Sequence, residues 1–405
     1  MNILVVCQHY WPEPFNTSDV CEELVNRGHS VTALTGLPNT GMQNSDIPDE
    51  YKNGKNRVQK RNGVTILRAN LAPRKSGAVN RIKNYLSFWF NANKLARNIK
   101  DEFDVVLGYQ FSPVMQVDPG LVYAKKHHKK MLLYCFDLWP VSLTAGGFSQ
   151  ESLPYKWMSS VSKRIYRQAD KIAVTSPLFD EYFSNSLSLD REPSAYLPQY
   201  ADDDFGTEVS GNCDGYDPTK VNLTFAGNVG QAQSVATIVC AASLCNNDQV
   251  VFHIVGSGSK LEDCKQLAET LRAKNIVFHG RKPIGEMPRY YAASSAMLVT
   301  FEDSPMATYT LPRKVTTYLA AGKPVLAALS GETKRVIDEA HCGLCCAIED
   351  AEGLARICDE FVKRNDKELM GKNARSYYES HFSKEMFFDK LESILNELAG
   401  ESING

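Results

Sequence analysis

Lys314 lies near the start of LPRKVTTYLAAGKPVL, two residues after Pro312. Pro312 suits the N1 position of a short helix over Arg313–Ala321, which Gly322 and Pro324 end. An ammonium in a first turn opposes the helix dipole unless an anion meets it there, and free N–H groups at such an end suit a phosphate. The plain alternative is a surface lysine on an ordinary α/β connection. Arg281, Lys282 and Pro283 follow the strand-like run Ile276–His279. With Lys314, the two cations make three from two loops, a set suited to pyrophosphate. AGNVGQAQS (Ala226–Ser234) is a glycine-bearing loop in which Gly227, Asn228, Gly230 and Gln233 can approach phosphate. It lacks Gly-x-Gly-x-x-Gly spacing and is weak alone. Gly256, after the strand Val250–Val255, adds a second glycine turn.

Asp137 and Trp139 in FDLWPVS follow another strand. An acid beside a large aromatic offers a hydrogen-bond acceptor against an apolar wall, as a sugar site needs. A helix-capping Asp and a core Trp are equally consistent with the sequence. Two metal lures are set aside. His341, Cys342, Cys345 and Cys346 have no second cysteine pair at finger spacing. Asp202, Asp203 and Asp204 fall in the linker-like Pro198–Asp217 and read as a solvated acidic turn. No metal or cofactor is expected.

These residues need elements to hold them. Ile3–Cys7, Ser30–Leu34, Val64–Ala69, Val105–Gly108, Met131–Phe136 and Ile172–Thr175 are strand-like runs separated by helical segments. A second series opens at Leu223–Ala226 and continues through Val250–Val255, Ile276–His279, Ser295–Phe301 and Val325–Leu329. Strands alternating with helices predict an α/β fold of two doubly wound, Rossmann-like sheets. Ligands bind such sheets at the carboxyl ends of the strands, where the loops His9–Asp19, Gly108–Pro113 and Phe136–Ser142 fall. The chain has 405 residues, 23% charged and 43% hydrophobic, enough for two soluble domains with full cores. A net charge of -2 excludes a globally basic nucleic-acid binder. Eleven cysteines, mostly in apolar segments, suggest reduced core thiols of a cytosolic protein. Neither a membrane span nor a signal peptide is expected.

Arg74–Lys100 holds seven Lys/Arg and no Asp or Glu. Ile82, Leu86, Trp89, Ala92 and Ala96 recur at helical spacing, widened by Tyr85, Phe88 and Phe90. A basic helix rich in aromatics suits an anionic membrane surface, and Lys125, Lys126, His127, His128, Lys129 and Lys130 would extend the patch. The alternative is a core-facing helix with a solvated basic side.

Taken together, HYWPEPF, RGHSVTALTGLPN, YQFSPV, FDLWP, YLPQYADDDF, FAGNVGQAQS, HIVGSG and LPRKVTTYLAAGKPVL carry a resemblance over nearly the whole chain. The sequence resembles GT-B glycosyltransferases of family 4, in the bacterial surface-polysaccharide, fucosamine-transferase-like branch. The resemblance implies two Rossmann-like domains facing a central cleft and retaining, metal-independent sugar transfer from a nucleoside diphosphate donor. It implies an acceptor domain over 1–200, a donor domain over 201–383, and a last helix, 384–399, packing back on the first. The expected donor set, from the loops above and the resemblance together, is Gly227, Asn228, Gly230, Gln233, Gly256, Arg281, Lys282, Pro283, Tyr309, Thr310, Leu311 and Thr317. Asn228 and Gln233 stand where many members have Arg and Lys. Tyr309 and Thr317 stand where the family's paired glutamates fall. Lys314 and the Thr310–Leu311 backbone are expected to replace the lost phosphate grip. Phe15, Asn16, Tyr109 and Trp139 are the expected acceptor contacts, Phe15-Asn16 replacing the usual Gly-Gly. Lys314 and Asp137 are the candidates for catalytic roles.

The expected protein is a cytoplasmic, peripheral membrane enzyme of capsule, O-antigen or exopolysaccharide synthesis. It would move a hexosyl or N-acetylhexosaminyl group from a UDP-sugar to a lipid-linked saccharide. A UDP-sugar 2-epimerase and a silent nucleotide-binding subunit are the rivals, separable by product from donor alone or by no turnover.

Overall fold

A computed structural model describes residues 1–39, 46–75, 77–202, 205, 213–245 and 247–400. The chain forms two compact units, Met1–Leu197 with Phe388–Gly405, and Pro198–Phe387.

The first unit begins with β1 (Asn2–Val6), α1 (Thr17–Asn26), β2 (Ser30–Gly36), β3 (Val58–Arg61), β4 (Val64–Ala69) and α2 (Ala78–Asn98). It continues through β5 (Val105–Gln110), α3 (Asp118–His127), β6 (Lys130–Cys135), α4 (Leu153–Gln168), β7 (Lys171–Val174), α5 (Phe179–Asn185) and β8 (Ala195–Tyr196). The sheet order is β3-β4-β2-β1-β5-β6-β7-β8, parallel except for the β3–β4 pair. That antiparallel edge departs from the expected all-parallel sheet. Its sequence signal is Asn62-Gly63, both at positive φ, a two-residue turn suited to a hairpin. Apart from Asn2, strands β1 and β5 are buried throughout, as the central strands of a parallel sheet covered on both faces are. The order reverses at β1, which places a ligand crevice at its carboxyl end. Strand β5 runs two residues past the expected end at Gly108, taking in Tyr109 and Gln110 from the loop.

Helix α2 is rotated from the expected stripe. Asn84, Phe88, Ala92 and Ala96 face the core, whereas Ile82 and Leu86 are exposed. Asn84 decides this, because its amide sits in a buried polar chain. Gln8 Nε2 donates to Asn84 Oδ1 at 2.7 Å, and Asn84 Nδ2 donates to Asn39 Oδ1 at 3.0 Å. Trp89 does not face outward: its indole N–H donates to Asp118 at 2.7 Å, a carboxylate that Arg164 also grips. Among the described residues, no helix is long and apolar enough to cross a membrane.

The second unit contains β9 (Val221–Ala226), α6 (Val235–Leu244), β10 (Val250–Val255), α7 (Leu261–Leu271), β11 (Ile276–Gly280), α8 (Met287–Ala293) and β12 (Ala296–Thr300). These are followed by α9 (Pro305–Tyr309), α10 (Arg313–Ala320), β13 (Val325–Ala328), α11 (Gly331–Glu339), β14 (Gly343–Cys346), α12 (Ala351–Lys363), α13 (Lys367–His381) and α14 (Lys384–Ala399). Its six strands are all parallel in the order β11-β10-β9-β12-β13-β14, with the reversal at β9. Helix α9 lies where a polar loop was expected; Ser304 caps it by accepting from the Ala307 N–H. From Phe388 onward α14 belongs to the first unit. There Arg27 donates to Asp389 at 3.1 Å and Glu392 at 2.9 Å, and lies over the Phe388 ring.

Candidate functional site

Strand β9 ends at the reversal point of the second sheet, and α10 is clamped to it. The Tyr318 hydroxyl donates to the Ala226 carbonyl at 2.9 Å and accepts from the Ala226 N–H at 3.2 Å. At the far end of α10, Gly322 at φ +61 donates to the Leu319 carbonyl, and Lys323 N–H donates to the Tyr318 carbonyl, a Schellman ending. Pro312 is the N-cap rather than N1 and supplies no side-chain cap. The first-turn N–H groups of Arg313 and Lys314 therefore have no acceptor within the helix.

Lys314 reaches back over β9. Its Nζ lies 4.4 Å from the Phe225 ring centroid and within 3.3 Å of where a Gly227 Cβ would stand. The ammonium is buried and has no hydrogen-bond partner. Burial lowers its pKa from 10.5 to about 8. An unpaired buried cation beside uncapped amides is unfavourable by itself and is relieved by an anion.

The glycine loops pack backbone to backbone. Gly227 N–H donates to the Val255 carbonyl at 2.9 Å, and Val229 N–H donates to the Ser257 carbonyl at 3.0 Å. A Cβ on Gly256 would stand 1.8 Å from the Gly227 oxygen, so only glycine permits this approach. Asn228 and Gln233 bond each other across Gly230, at 3.2 Å, rather than pointing freely outward. The Thr310 N–H is taken by the Met306 carbonyl, and the Thr317 hydroxyl donates to the Arg313 carbonyl at 3.0 Å. Neither stands free as expected. Leu311 is buried, and Tyr309 ends α9. Arg281 and Pro283 are exposed beyond β11, the edge strand. Lys282 lies 5.9 Å from the Tyr290 ring, and burial together with the Lys282 charge lowers the pKa of His279. Of the three expected cations, Lys314 is the one that lies against Gly227. Sequence reasoning missed Glu302, which accepts from Gln231 Nε2 at 2.5 Å, and Glu349, which accepts from the Ser234 hydroxyl at 3.3 Å. No residue spacing linked them to the loop.

The other candidates gather at the carboxyl end of the first sheet. Phe15 stacks on His9 at 4.5 Å and touches Phe111 at 5.3 Å; Tyr109 donates to Asn16 Oδ1 at 3.3 Å and also meets Phe111. Asp137 accepts from the Ser112 hydroxyl at 2.7 Å, and Trp139 donates its indole N–H to that same hydroxyl at 3.1 Å. Asp137 is no helix cap, and burial raises its pKa. Trp139 is 5% exposed and lines a groove. The sequence reading also passed over His9 and Glu13, a buried pair at 3.1 Å in which Glu13 also accepts the Asn39 N–H. Spacing of i, i+4 within the first loop was the available signal.

Asp202 pairs with Arg313, while Asp203 and Asp204 lie outside the described residues. Cys342 is buried and its thiol donates to the Ile337 carbonyl. Among the described residues no group of three or more His, Cys, Asp or Glu is placed to hold a metal.

Two Rossmann-like α/β domains with parallel sheets make this a GT-B fold. Residues 220–364 match the family model described as Glycosyl transferases group 1. The probable glycosyltransferase WbjE of Pseudomonas aeruginosa is 27% identical over 312 residues, which cover 74% of this chain and 76% of the relative. Sucrose-phosphate synthase from Thermosynechococcus elongatus shares the fold at a TM-score of 0.78 and 16% identity, over 99% of this chain and 100% of the other. Anabaena Alr3699/HepE, solved in complex with UDP and glucose, does so at 0.69 and 15%, over 97% and 99%. The group 1 domain and the WbjE-like relative support glycosyltransferase activity.

Proposed function

We propose that the protein is a retaining glycosyltransferase that moves a hexosyl or N-acetylhexosaminyl group from a UDP-sugar to a lipid-linked saccharide in surface-polysaccharide assembly. The observation that carries this reading is the buried, unpaired Lys314 ammonium at the uncapped start of α10, against Gly227. A diphosphate fits that combination, and a fold relative binding UDP favours uridine as the base.

In this reading Lys314 and the first-turn amides hold the charge that grows on the departing diphosphate. The Gly227–Gly230 and Gly256 loops let the donor approach the backbone closely, with Asn228 and Gln233 as a paired amide wall. Arg281, Lys282 and Pro283 flank the nucleoside. Thr310, Leu311 and Thr317 shape the α9–α10 turn, with Tyr309, rather than donating to phosphate. The acceptor hydroxyl attacks from the face the diphosphate leaves and passes its proton to a departing phosphate oxygen, so no protein base is required. On the first unit, Asp137, positioned by Ser112, accepts hydrogen bonds from the acceptor sugar, and Trp139, Tyr109, Phe15 and Asn16 form its walls. The basic surface of α2, joined to the α3 lysines where Lys126 donates to the Arg97 carbonyl at 2.7 Å, rests on the anionic inner face of the cell membrane.

The test is a thermal-shift screen of nucleoside diphosphates and their sugars, with the product anomer then read by NMR. UDP-sugars should raise the melting temperature by mass action, EDTA should leave turnover intact, and the product should keep the donor's anomeric configuration. No stabilisation by any nucleotide, or an inverted product, would overturn the reading.

A further inference from the structure

The loop after β1 holds a buried pair that the proposed reaction leaves unused. His9 is 2% exposed and Glu13 is 4% exposed. His9 Nδ1 lies 3.1 Å from Glu13 Oε2, while Glu13 Oε1 accepts the Asn39 N–H at 2.9 Å. The charge of the buried Arg68 interacts with that of Glu13. A carboxylate has no proton to give, so the ring proton sits on Nδ1 and the lone pair is left on Nε2. Phe15 covers one ring face, stacked at 4.5 Å with 12° between the planes. The imidazole is therefore fixed at one nitrogen and one face. Its Nε2 has no hydrogen-bond partner among the described residues, and it is not one of the unpaired atoms sealed from solvent.

His9 stands just past β1, at the reversal of the sheet order, where the crevice of the first unit opens. We infer that His9 Nε2 accepts a hydrogen bond from a hydroxyl of the acceptor sugar other than the reacting one, and so selects acceptors in which that hydroxyl is free. The inference rests on the acceptor side of the proposed function and adds a specificity-determining residue to it. The attacking hydroxyl keeps its proton for the departing phosphate, so His9 holds another hydroxyl and is not the base. A methyl ether or an ester at that position has no proton to donate and is refused, because it would leave Nε2 facing an unpaired oxygen. Any reaction that esterifies the position must then follow this transfer.

Two isosteres separate this role from a purely structural one. Asparagine places its amide where Nδ1 stands and can keep a bond to Glu13. Glutamine places its amide where Nε2 stands and can keep the outward acceptor. Nitrogen NMR of the histidine rings comes first and needs no substrate, with His9→Gln identifying the signal. The parent should show His9 as the Nδ1–H tautomer; an Nε2–H tautomer would overturn the inference. Transfer is then measured from the radiolabelled UDP-sugar chosen by the thermal-shift screen, with a total lipid extract of the cells that make the protein as acceptor source. His9→Asn should raise the apparent KM for the extract about tenfold at nearly constant kcat, the scale of one lost hydrogen bond, and His9→Gln should stay within about threefold of the parent. UDP affinity, a property of the second unit, should be equal in all three and shows that each is folded. An impaired His9→Gln beside a normal His9→Asn would make the pair a brace for the loop and overturn the inference. So would equal behaviour of the two variants, or a loss confined to kcat. Transfer from no donor at all would sink the proposed function and this inference with it, whereas transfer that ignores both variants sinks this inference alone.

Discussion

Lys314 is costly where it stands. Its amine is buried without a hydrogen bond, and burial lowers its pKa from 10.5 to about 8. Because the folded value is the lower one, folding favours the neutral amine relative to the unfolded chain, and stability is lost as pH falls from 10.5 toward about 8. A bound diphosphate reverses that preference and raises the pKa, so above about pH 8 binding takes up a proton. Nucleoside diphosphate affinity should then fall as pH rises past about 8, approaching about tenfold per pH unit. Calorimetric titration across pH 7–10 reads this, and Lys314→Met should abolish the slope. The same variant should melt higher than the parent without ligand, since it removes an uncompensated buried charge. Lys314→Ala should lower turnover by roughly 10², the scale of losing one transition-state donor, with circular dichroism unchanged. A flat affinity profile in the parent would remove the phosphate from this loop.

At the scale of elements, α2 presents two separate faces. Asn84, Phe88, Ala92 and Ala96 bind it to the core, and Trp89 is tied to Asp118. Phe90, 65% exposed, is left among the outward basic residues. Phe90→Ser should therefore weaken binding to anionic vesicles. Salt should release the parent protein, since the Debye length is only about 8 Å at physiological ionic strength. Trp89→Ser should act instead on stability, by leaving the Asp118 carboxylate short of a donor. Co-sedimentation with anionic and neutral vesicles separates the two variants. Equal binding to both lipid types would refute the membrane role. The sequence showed that this helix is amphipathic and basic. It did not show its rotation, because Asn84 is polar and only its chain of amides to Gln8 and Asn39 makes it an inward residue.

For the whole molecule, the decisive segment is the last one. Phe388, Leu391 and Leu395 are fully buried, and Arg27 and His29 find carboxylates on α14. Phe388→Ala should cost about 3–5 kcal/mol in urea unfolding of the first unit. Ending the chain at Phe387 should abolish that unit's cooperative transition, since domain stabilities are only about 5–15 kcal/mol. A truncated chain with both transitions intact would show that α14 is dispensable. The alternation of apolar runs with helical segments determined two Rossmann-like sheets, because period and strand length are local properties of the chain. Glycines at the ends of β9 and β10, and Lys314 at a helix start, were legible for the same reason. Tertiary structure alone decided which polar groups remain free. Asn228 meets Gln233, Thr317 turns back on Arg313, Lys282 lies beside Tyr290, and Trp139 meets Ser112. Whether a donor is satisfied depends on neighbours brought together by folding, as for Trp139 and Ser112, 27 residues apart in sequence. That dependence is why Asn228, Gln233 and Thr317 stand partnered while the Lys314 amine does not.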